Sequence, residues 1–342
     1  MLHLVALLGL AIPAAAPPAD TAPALREVRT AAQLVAAAAR VGRLGGTLRL
    51  APGEYRIDRP LRFRGRNHVN IVGSGWNTTI RRAGRGDALV FEDCGFCAVR
   101  DLMVVGGEGA GSGIVFRGTH SSSNTVDTCR IAEFGESGIR FEGDPKSPLS
   151  SNTVSRCHLI GNRGDQLYSR CNNDFFILQN QFGTHGAFPR TGCLLDRSAA
   201  GTYSLNYHWG NVVALRMGAG CHFIRVENNR FENARREAVI LGGPNPYACM
   251  LTIFTGNTVH TSSEEASGRY PAIVATNVTD MTFTSNQVFS WDAAHARHRS
   301  SLVIGSGCRN WIVKDCVFRH NTGRSLVYEE DAGHIVKDNL AD

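Results

Sequence analysis

One short unit recurs along this chain every 23–30 residues: an aliphatic or aromatic residue, Asn or Cys three positions later, and another apolar residue two positions after that. It reads Val126-x-x-Cys129-x-Ile131, Val154-x-x-Cys157-x-Leu159, Ile177-x-x-Asn180-x-Phe182 and Val226-x-x-Asn229-x-Phe231. It continues Phe254-x-x-Asn257-x-Val259, Phe283-x-x-Asn286-x-Val288 and Val313-x-x-Cys316-x-Phe318, and Val99-x-x-Leu102-x-Val104 is the same unit with the polar position lost. A single unit this small cannot bury its own apolar side chains. It must stack on its neighbours, so the chain is an array.

Each unit holds three short apolar segments separated by Gly, Asn, Ser or Thr, and none is long enough for a packed helix. The first segment alternates strictly, as in Gly113–Arg117, Gly138–Glu142, Gln166–Arg170 and Gly192–Asp196. Alternation puts one face inside and one outside. Three strands per turn with no Asn-Gly hairpin signal predict an all-β, single-stranded right-handed parallel β-helix of about ten coils. The Asn or Cys position falls at a tight corner between the second and third strands. There a short polar side chain can bond the coils above and below, and Asn tolerates left-handed backbone.

The ends bound the domain. Residues 1–16 run apolar from Leu4 to Ile12 and end in Ala14-Ala15-Ala16, the pattern of a secretory signal peptide. Residues 17–27 are Pro/Ala-rich and read as disordered. Residues 28–342 read as one β-helix domain. From Thr30 to Val41 an Ala-rich run predicts an amphipathic helix, ended by Gly42, that caps the open end of the solenoid. No later segment has the apolar length of a membrane span, so the expected location is extracellular or periplasmic, with no membrane insertion.

The stretch Gly45-Gly-Thr-Leu-Arg-Leu-Ala-Pro-Gly-Glu-Tyr-Arg-Ile57, entered from an Ala-rich helix, resembles the entry of the pectate-lyase-like β-helix superfamily. Val69-Asn-Ile-Val-Gly-Ser-Gly-Trp-Asn-Thr-Thr-Ile80 does so too, and the resemblance extends over roughly residues 28–336. It implies a secreted protein acting on a polysaccharide in a groove on the first parallel sheet. The superfamily includes lyases, hydrolases, epimerases, transglycosylases and noncatalytic glycan-binding or adhesion proteins, so fold alone does not choose. There is no Asn-Thr-Asp followed by Gly-His-Gly and no Asp-Pro-His, and the only lysines are Lys146, Lys314 and Lys337.

Candidate site residues follow from the alternation. One outward column on the first strands reads Glu92, Arg117, Glu142, Arg170, Asp196, Arg216, Gly242, and its neighbour reads Val90, Val115, Arg140, Tyr168, Leu194, Ala214, Ile240. Charge concentrates in the middle coils. Arg140, Glu142, Tyr168, Arg170 and Asp196 are the candidate catalytic group. Arg117, Asp165, His185, His208, Trp209, Arg216 and Glu237 are candidate substrate contacts, several of them on loops expected to wall the groove, as are Glu133, Glu136 and Arg163. The competing reading is a salt-bridge ladder on a solvated sheet.

Two chemistries are open. For β-elimination of a uronate, Arg140, Arg170 and Arg216 clamp the carboxylate and Tyr168 or an Arg moves the proton. For hydrolysis, Glu142 and Asp196 lie two coils apart, about 9–10 Å, near the upper spacing of an inverting pair. A net charge of +6, carried mostly by Arg, suits an acidic polysaccharide. No basic helix or stacking platform argues for nucleic acid.

The ten cysteines admit two readings. Cys129 with Cys157, and Cys221 with Cys249, share corner positions and could be bridged. Equally, they could be buried thiols filling the interior. Cys94-Gly-Phe-Cys97 lacks a second pair at zinc spacing, and His295-Ala-Arg-His298 reads as a solvated loop, so no metal site is assigned. Calcium stays an option through the resemblance, although no Asp-x-Asp motif occurs. The sequence does not set an oligomeric state.

Overall fold

A computed structural model of the chain describes residues 27–184, 186, 188–218, 220–244 and 249–342. The expected leader (1–16) and nearly all of the Pro/Ala-rich segment (17–27) lie outside the described residues, as does His185. Three long parallel sheets run the length of the molecule. The first sheet has 11 strands, among them Ile114–Arg117, Ile139–Glu142, Asp165–Arg170, Thr191–Asp196, Val213–Met217 and Val239–Gly242. The second and third sheets have 12 strands each. Every strand pairing among the described residues is parallel and joins one coil to the next, as in Val126↔Val154 and Ile131↔Leu159. This is the right-handed parallel β-helix that the repeat demands.

The cap is present. Helix Ala31–Arg40 opens at Thr30, whose hydroxyl accepts from the Gln33 amide at 3.2 Å. Leu34 and Ala38 are buried and join the apolar core, so the helix closes the end of the first coils. Among the described residues no helix is long and apolar enough to cross a membrane.

Inside, like residues stack on like. Phe63, Phe91, Phe116 and Phe141 form a column beneath the first sheet, with successive ring centroids 5.0, 4.8 and 5.2 Å apart. The corner between the second and third sheets carries an asparagine ladder. The Asn180 amide nitrogen donates to Asn206 Oδ1 at 3.0 Å, Asn206 to Asn229 at 2.9 Å, Asn229 to Asn257 at 2.9 Å and Asn257 to Asn286 at 2.9 Å. Each side chain also donates to a carbonyl inside the turn, for example Asn229 Nδ2 to Tyr203 O at 3.0 Å. Asn206 belongs to this ladder although its repeat reads Tyr203-x-x-Asn206-x-His208, with a His where the unit has an apolar residue.

One detail of the corner differs from expectation. The left-handed backbone falls on the residue before each Asn or Cys: Arg156 at φ 51°, Gln179 at 58°, Leu205 at 57°, Asn228 at 55° and Ser285 at 55°. The ladder residue is placed there for its side-chain bonds, and its neighbour carries the turn.

All ten cysteines are free and buried. The Cys129 thiol donates to Asp127 O at 3.3 Å and the Cys157 thiol to Ser155 O at 3.2 Å. Burial pushes the Cys129 and Cys221 thiols well up, and Cys249 up to about 12. The interior-thiol reading is the one this structure shows. His298 also departs from expectation: it is fully buried, with Nδ1 3.4 Å from Ser290 Oγ.

Candidate functional site

The first sheet turns its outer face to solvent, and the two outward columns on it have different fates along the axis. Toward the N-terminal end the charges pair off. Glu92 takes Arg64 at 3.5 Å and Arg117 at 3.1 Å. One coil on, Arg140 bridges Glu136 at 2.8 Å and also contacts Glu142. This stretch is the salt-bridge ladder.

The pairing loosens from there. Registers Glu142↔Arg170↔Asp196 hold as the alternation requires. Arg170 reaches Asp196 only at 3.7 Å, and its Nε is buried without a hydrogen-bond partner. Arg216 is exposed and makes no ion pair or hydrogen bond among the described residues. It does not follow Asp196 in the column. Arg216 pairs with Leu194, so it shares the column of Arg140 and Tyr168. The reason is the register: Thr191 pairs with Val213 and Cys193 with Leu215, which sets the buried Ala214 level with Gly192 at the strand entry, before the outward columns begin. Position 218, after Asp196 in its own column, is a glycine.

A recess of about 340 Å³ opens where the pairing ends, lined by Tyr168, Leu194, Asp196, Arg216, Gly218 and Gly242 among others. Gly242 is required: at φ 73° an added Cβ would stand 2.1 Å from Thr276 O. The guanidinium of Arg140 lies 5.2 Å from the Tyr168 ring centroid. Burial and then Asp196 push the Tyr168 phenol up from its ordinary value, against the opposing pull of Arg170 and Arg140, so it stays protonated at neutral pH. One carboxylate, one phenol and one unpaired guanidinium therefore meet in this recess. Such a set can bind an anion, take a proton and deliver one.

Four of the expected contacts are not there. Asp165 is 2% exposed and held by Arg190 at 2.7 and 3.2 Å, a clamp between adjacent coils that no substrate can reach. His208 is an interior residue. It stacks between Phe182 at 4.5 Å and Phe231 at 5.1 Å, and its Nε2 bonds the Tyr203 hydroxyl. Burial pushes its imidazole down to about 3. In strand Tyr207–Trp209 the alternation sends His208 inward and Trp209 outward, onto the third sheet rather than the first, where Trp209 stacks on Tyr207 at 5.1 Å. Arg117 is consumed by Glu92. Glu237 lies at the entry to strand Val239–Gly242 with a side chain 12% exposed; Arg236 is 3.6 Å from its Oε2, which has no hydrogen-bond partner. Its place on a loop leading into the strand was legible, but nothing in the pattern marked its unsatisfied oxygen.

A larger cleft, about 730 Å³, lies at the corner between the third and first sheets. Glu133 and Arg163, expected to wall the first-sheet groove, line this cleft instead. Its lining carries two carboxylates and two guanidiniums, whereas the smaller recess sets a protonated phenol beside one carboxylate and an unpaired guanidinium, so chemistry rather than size selects the recess. Among the described residues no cluster of three His, Cys, Asp or Glu side chains could hold a metal ion.

The family model described as right handed beta helix region matches residues 68–288. At the level of sequence, no curated protein matches. Among solved structures, the A-module of the mannuronan C-5 epimerase AlgE6 of Azotobacter vinelandii superposes with a TM-score of 0.60 at 14% identity, covering 90% of this chain and 93% of that one. The Dettilon tailspike protein gives a TM-score of 0.62 at 11% identity over 91% of this chain and 63% of that one. The catalytic domain of a GH87 alpha-1,3-glucanase gives 0.54 at 13% identity over 95% and 66%. Identities this low show the shared fold and nothing finer.

Proposed function

The chain belongs to the right-handed β-helix family, and from that premise we propose that it is a secreted enzyme that cleaves an acidic, uronate-containing polysaccharide by β-elimination in the recess on its first sheet. The observation that carries this reading is the content of the recess. A two-carboxylate hydrolysis draws on Glu142, Asp196 or Asp165. Glu142 is bound to Arg140 and Asp165 to Arg190, which leaves Asp196 as the carboxylate that lines the recess. What stands beside it is a cation without a partner and a phenol that keeps its proton. Similarity to a mannuronan epimerase, a tailspike and a glucanase supports a carbohydrate ligand.

In this reading Arg216 and Arg170 hold the uronate carboxylate. Their charge stabilises the negative charge that develops on it when the neighbouring C–H bond breaks. Asp196 accepts that proton. The electron pair forms the new carbon–carbon double bond, the glycosidic oxygen departs, and the protonated Tyr168 supplies its proton. Arg140, over the Tyr168 ring, positions the phenol.

The test is a turnover screen of the mature protein on polyuronates, glycosaminoglycans and neutral glycans. Ultraviolet absorbance reports unsaturated ends and a reducing-sugar assay reports any cleavage. Unsaturated ends from a uronate polymer, lost in Asp196→Asn and Tyr168→Phe, are expected. Reducing ends without unsaturation would replace elimination with hydrolysis. Binding without either signal would make this a noncatalytic glycan-binding protein.

A further inference from the structure

We infer that the protein has a second saccharide-binding site, on the opposite side of the third-to-first corner from the recess, and that this site takes a neutral rather than an acidic glycan. It shares only the carbohydrate class of ligand with the proposed function and uses none of the same residues.

The cleft is built by four successive coils, through segments at residues 107–109, 130–135 and 160–163 and through residues 184 and 186. Three strand spacings make it about 14 Å long, enough for several sugar units in line. Its volume of about 730 Å³ falls in the range of formed ligand pockets. Outward positions at the ends of the third-sheet strands supply small or apolar floor residues, Ala132 and Ile160. Gly161 and Gly186, where an added Cβ would meet nothing within 4 Å, keep part of the corner backbone open to a ligand, while Gly107, Gly109 and Gly135 let adjacent coils approach.

The polar lining is balanced, with Glu108 and Glu133 against Arg130 and Arg163. Among these four the structure shows no ion pair, so each presents its charge to the cleft instead of cancelling a neighbour. Arg130 adds a buried Nε without a hydrogen-bond partner, a donor that a ligand oxygen would satisfy. Such a set of donors and acceptors suits vicinal hydroxyls. It does not suit a polyanion, because the two carboxylates would repel one.

Aromatic side chains lie beside the cleft. Trp76, 43% exposed, leaves its own coil to lie over the third sheet, with the Arg130 guanidinium 5.8 Å from its ring and His158 edge-on at 4.8 Å. At the far end Trp209 covers Gly183, where an added Cβ would stand 2.1 Å from its ring, and Phe188 is 45% exposed. Flat apolar rings beside a hydroxyl-binding cleft are what the two chemically different faces of a pyranose require.

The experiment is calorimetric titration of the intact protein with neutral hexasaccharides of glucose, mannose and galactose, and with an oligomannuronate of equal length. Binding of at least one neutral hexasaccharide is expected. Trp76→Ala and Arg163→Ala should each weaken it roughly tenfold or more, a change of about 1.4 kcal/mol. Arg216→Ala should leave it unchanged. Arg163 is exposed, so its variant tests the site even if Trp76→Ala disturbs the fold. Absence of neutral-sugar binding would overturn the proposal, as would neutral binding that survives Arg163→Ala and vanishes in Arg216→Ala. Turnover of the oligomannuronate, measured in the same variants, reports the first-sheet recess separately and should fall only in Arg216→Ala.

Discussion

The asparagine corner and the outer face of the first sheet are made by the same device, one polar side chain per coil in a fixed register, and they end in opposite states. At the corner every side chain is buried and doubly used. Asn229 accepts from the Asn206 amide and Nδ2, and donates to Tyr203 O and Asn257 Oδ1. On the outer face one column begins saturated, with Glu92 shared by Arg64 and Arg117, and its neighbour ends with Arg216 unpaired beside a recess. Periodicity therefore makes a scaffold where each coil answers the last. It makes a candidate site where one coil fails to answer. The strand register is the local cause, because it sets Arg216 beside Leu194 in the neighbouring column and leaves Gly218 to follow Asp196.

The largest effect that follows is on the corner. Asn229→Leu removes an acceptor and a donor in the middle of the ladder and strands the Asn206 amide and Tyr203 O in the interior. Each stranded group costs roughly 1–3 kcal/mol, so a loss on the order of 3 kcal/mol or more is expected from denaturant unfolding. A loss under 1 kcal/mol would show that the ladder is ornament, and the contrast between the two columns would collapse.

Arg216→Ala should act in the opposite sense. It should leave the unfolding midpoint almost unchanged, since an exposed, unpaired Arg holds nothing together. Turnover on an acidic glycan should fall by at least about tenfold, because a lost charged hydrogen bond is worth roughly 1.5–3 kcal/mol. An alkaline limb in the rate should lie above pH 10, the ordinary tyrosine value, because the Tyr168 phenol is pushed up and must keep its proton to act as the acid. An Arg216→Ala variant that is fully active but less stable would reverse the assignment of the two columns.

How much of this was legible follows from which residues carry a period. The fold was legible because Val126, Val154, Ile177 and their successors repeat the same burial need at the same spacing. The first-sheet columns up to Asp196 were legible for the same reason. His208 and Arg216 were misplaced by the coil that breaks the pattern. In that coil a His fills an aromatic slot between Phe182 and Phe231, and strand Val213–Met217 starts its outward columns at Arg216 rather than at the buried Ala214. A sequence column counts from an assumed first strand residue, whereas the register decides where that count starts. The burial of Asp165 under Arg190 was out of reach too, since it depends on how Arg190, just before strand Thr191–Asp196, folds over the first residue of strand Asp165–Arg170.

His208 offers a pH-dependent probe of the interior. Its folded imidazole is pushed down to about 3 by burial, whereas the unfolded residue titrates near its ordinary 6.5. The unfolded chain thus binds a proton between these values that the folded chain refuses. Stability is complete above about pH 6.5 and is lost as pH falls through that window, by about 1.4 kcal/mol per pH unit at most. His298, pushed down to about 4 by burial, adds in the same direction. His208→Phe keeps the ring stack and should flatten the fall between pH 6 and 4, at the cost of a stranded Tyr203 hydroxyl near neutral pH. An unchanged slope would place His208 in contact with water, and thus return it to the surface.

The smallest effect is the sharpest test of where the outer column changes character. Arg117 pairs with Glu92 at 3.1 Å, both side chains are about a third exposed, and Glu92 keeps Arg64 when Arg117 is removed. An ion pair in that setting contributes about 0–1 kcal/mol. Arg117→Ala should therefore lower stability by less than 1 kcal/mol and leave turnover and glycan affinity where they were. The same substitution at Arg170, one coil from Asp196 and with an unsatisfied Nε, should leave stability alone and reduce turnover. If Arg117→Ala also silences the protein, the groove reaches back over the paired coils and the saturated ladder is itself substrate-binding surface. If neither variant affects turnover, the whole column is a ladder, and the recess around Arg216 has to stand without it.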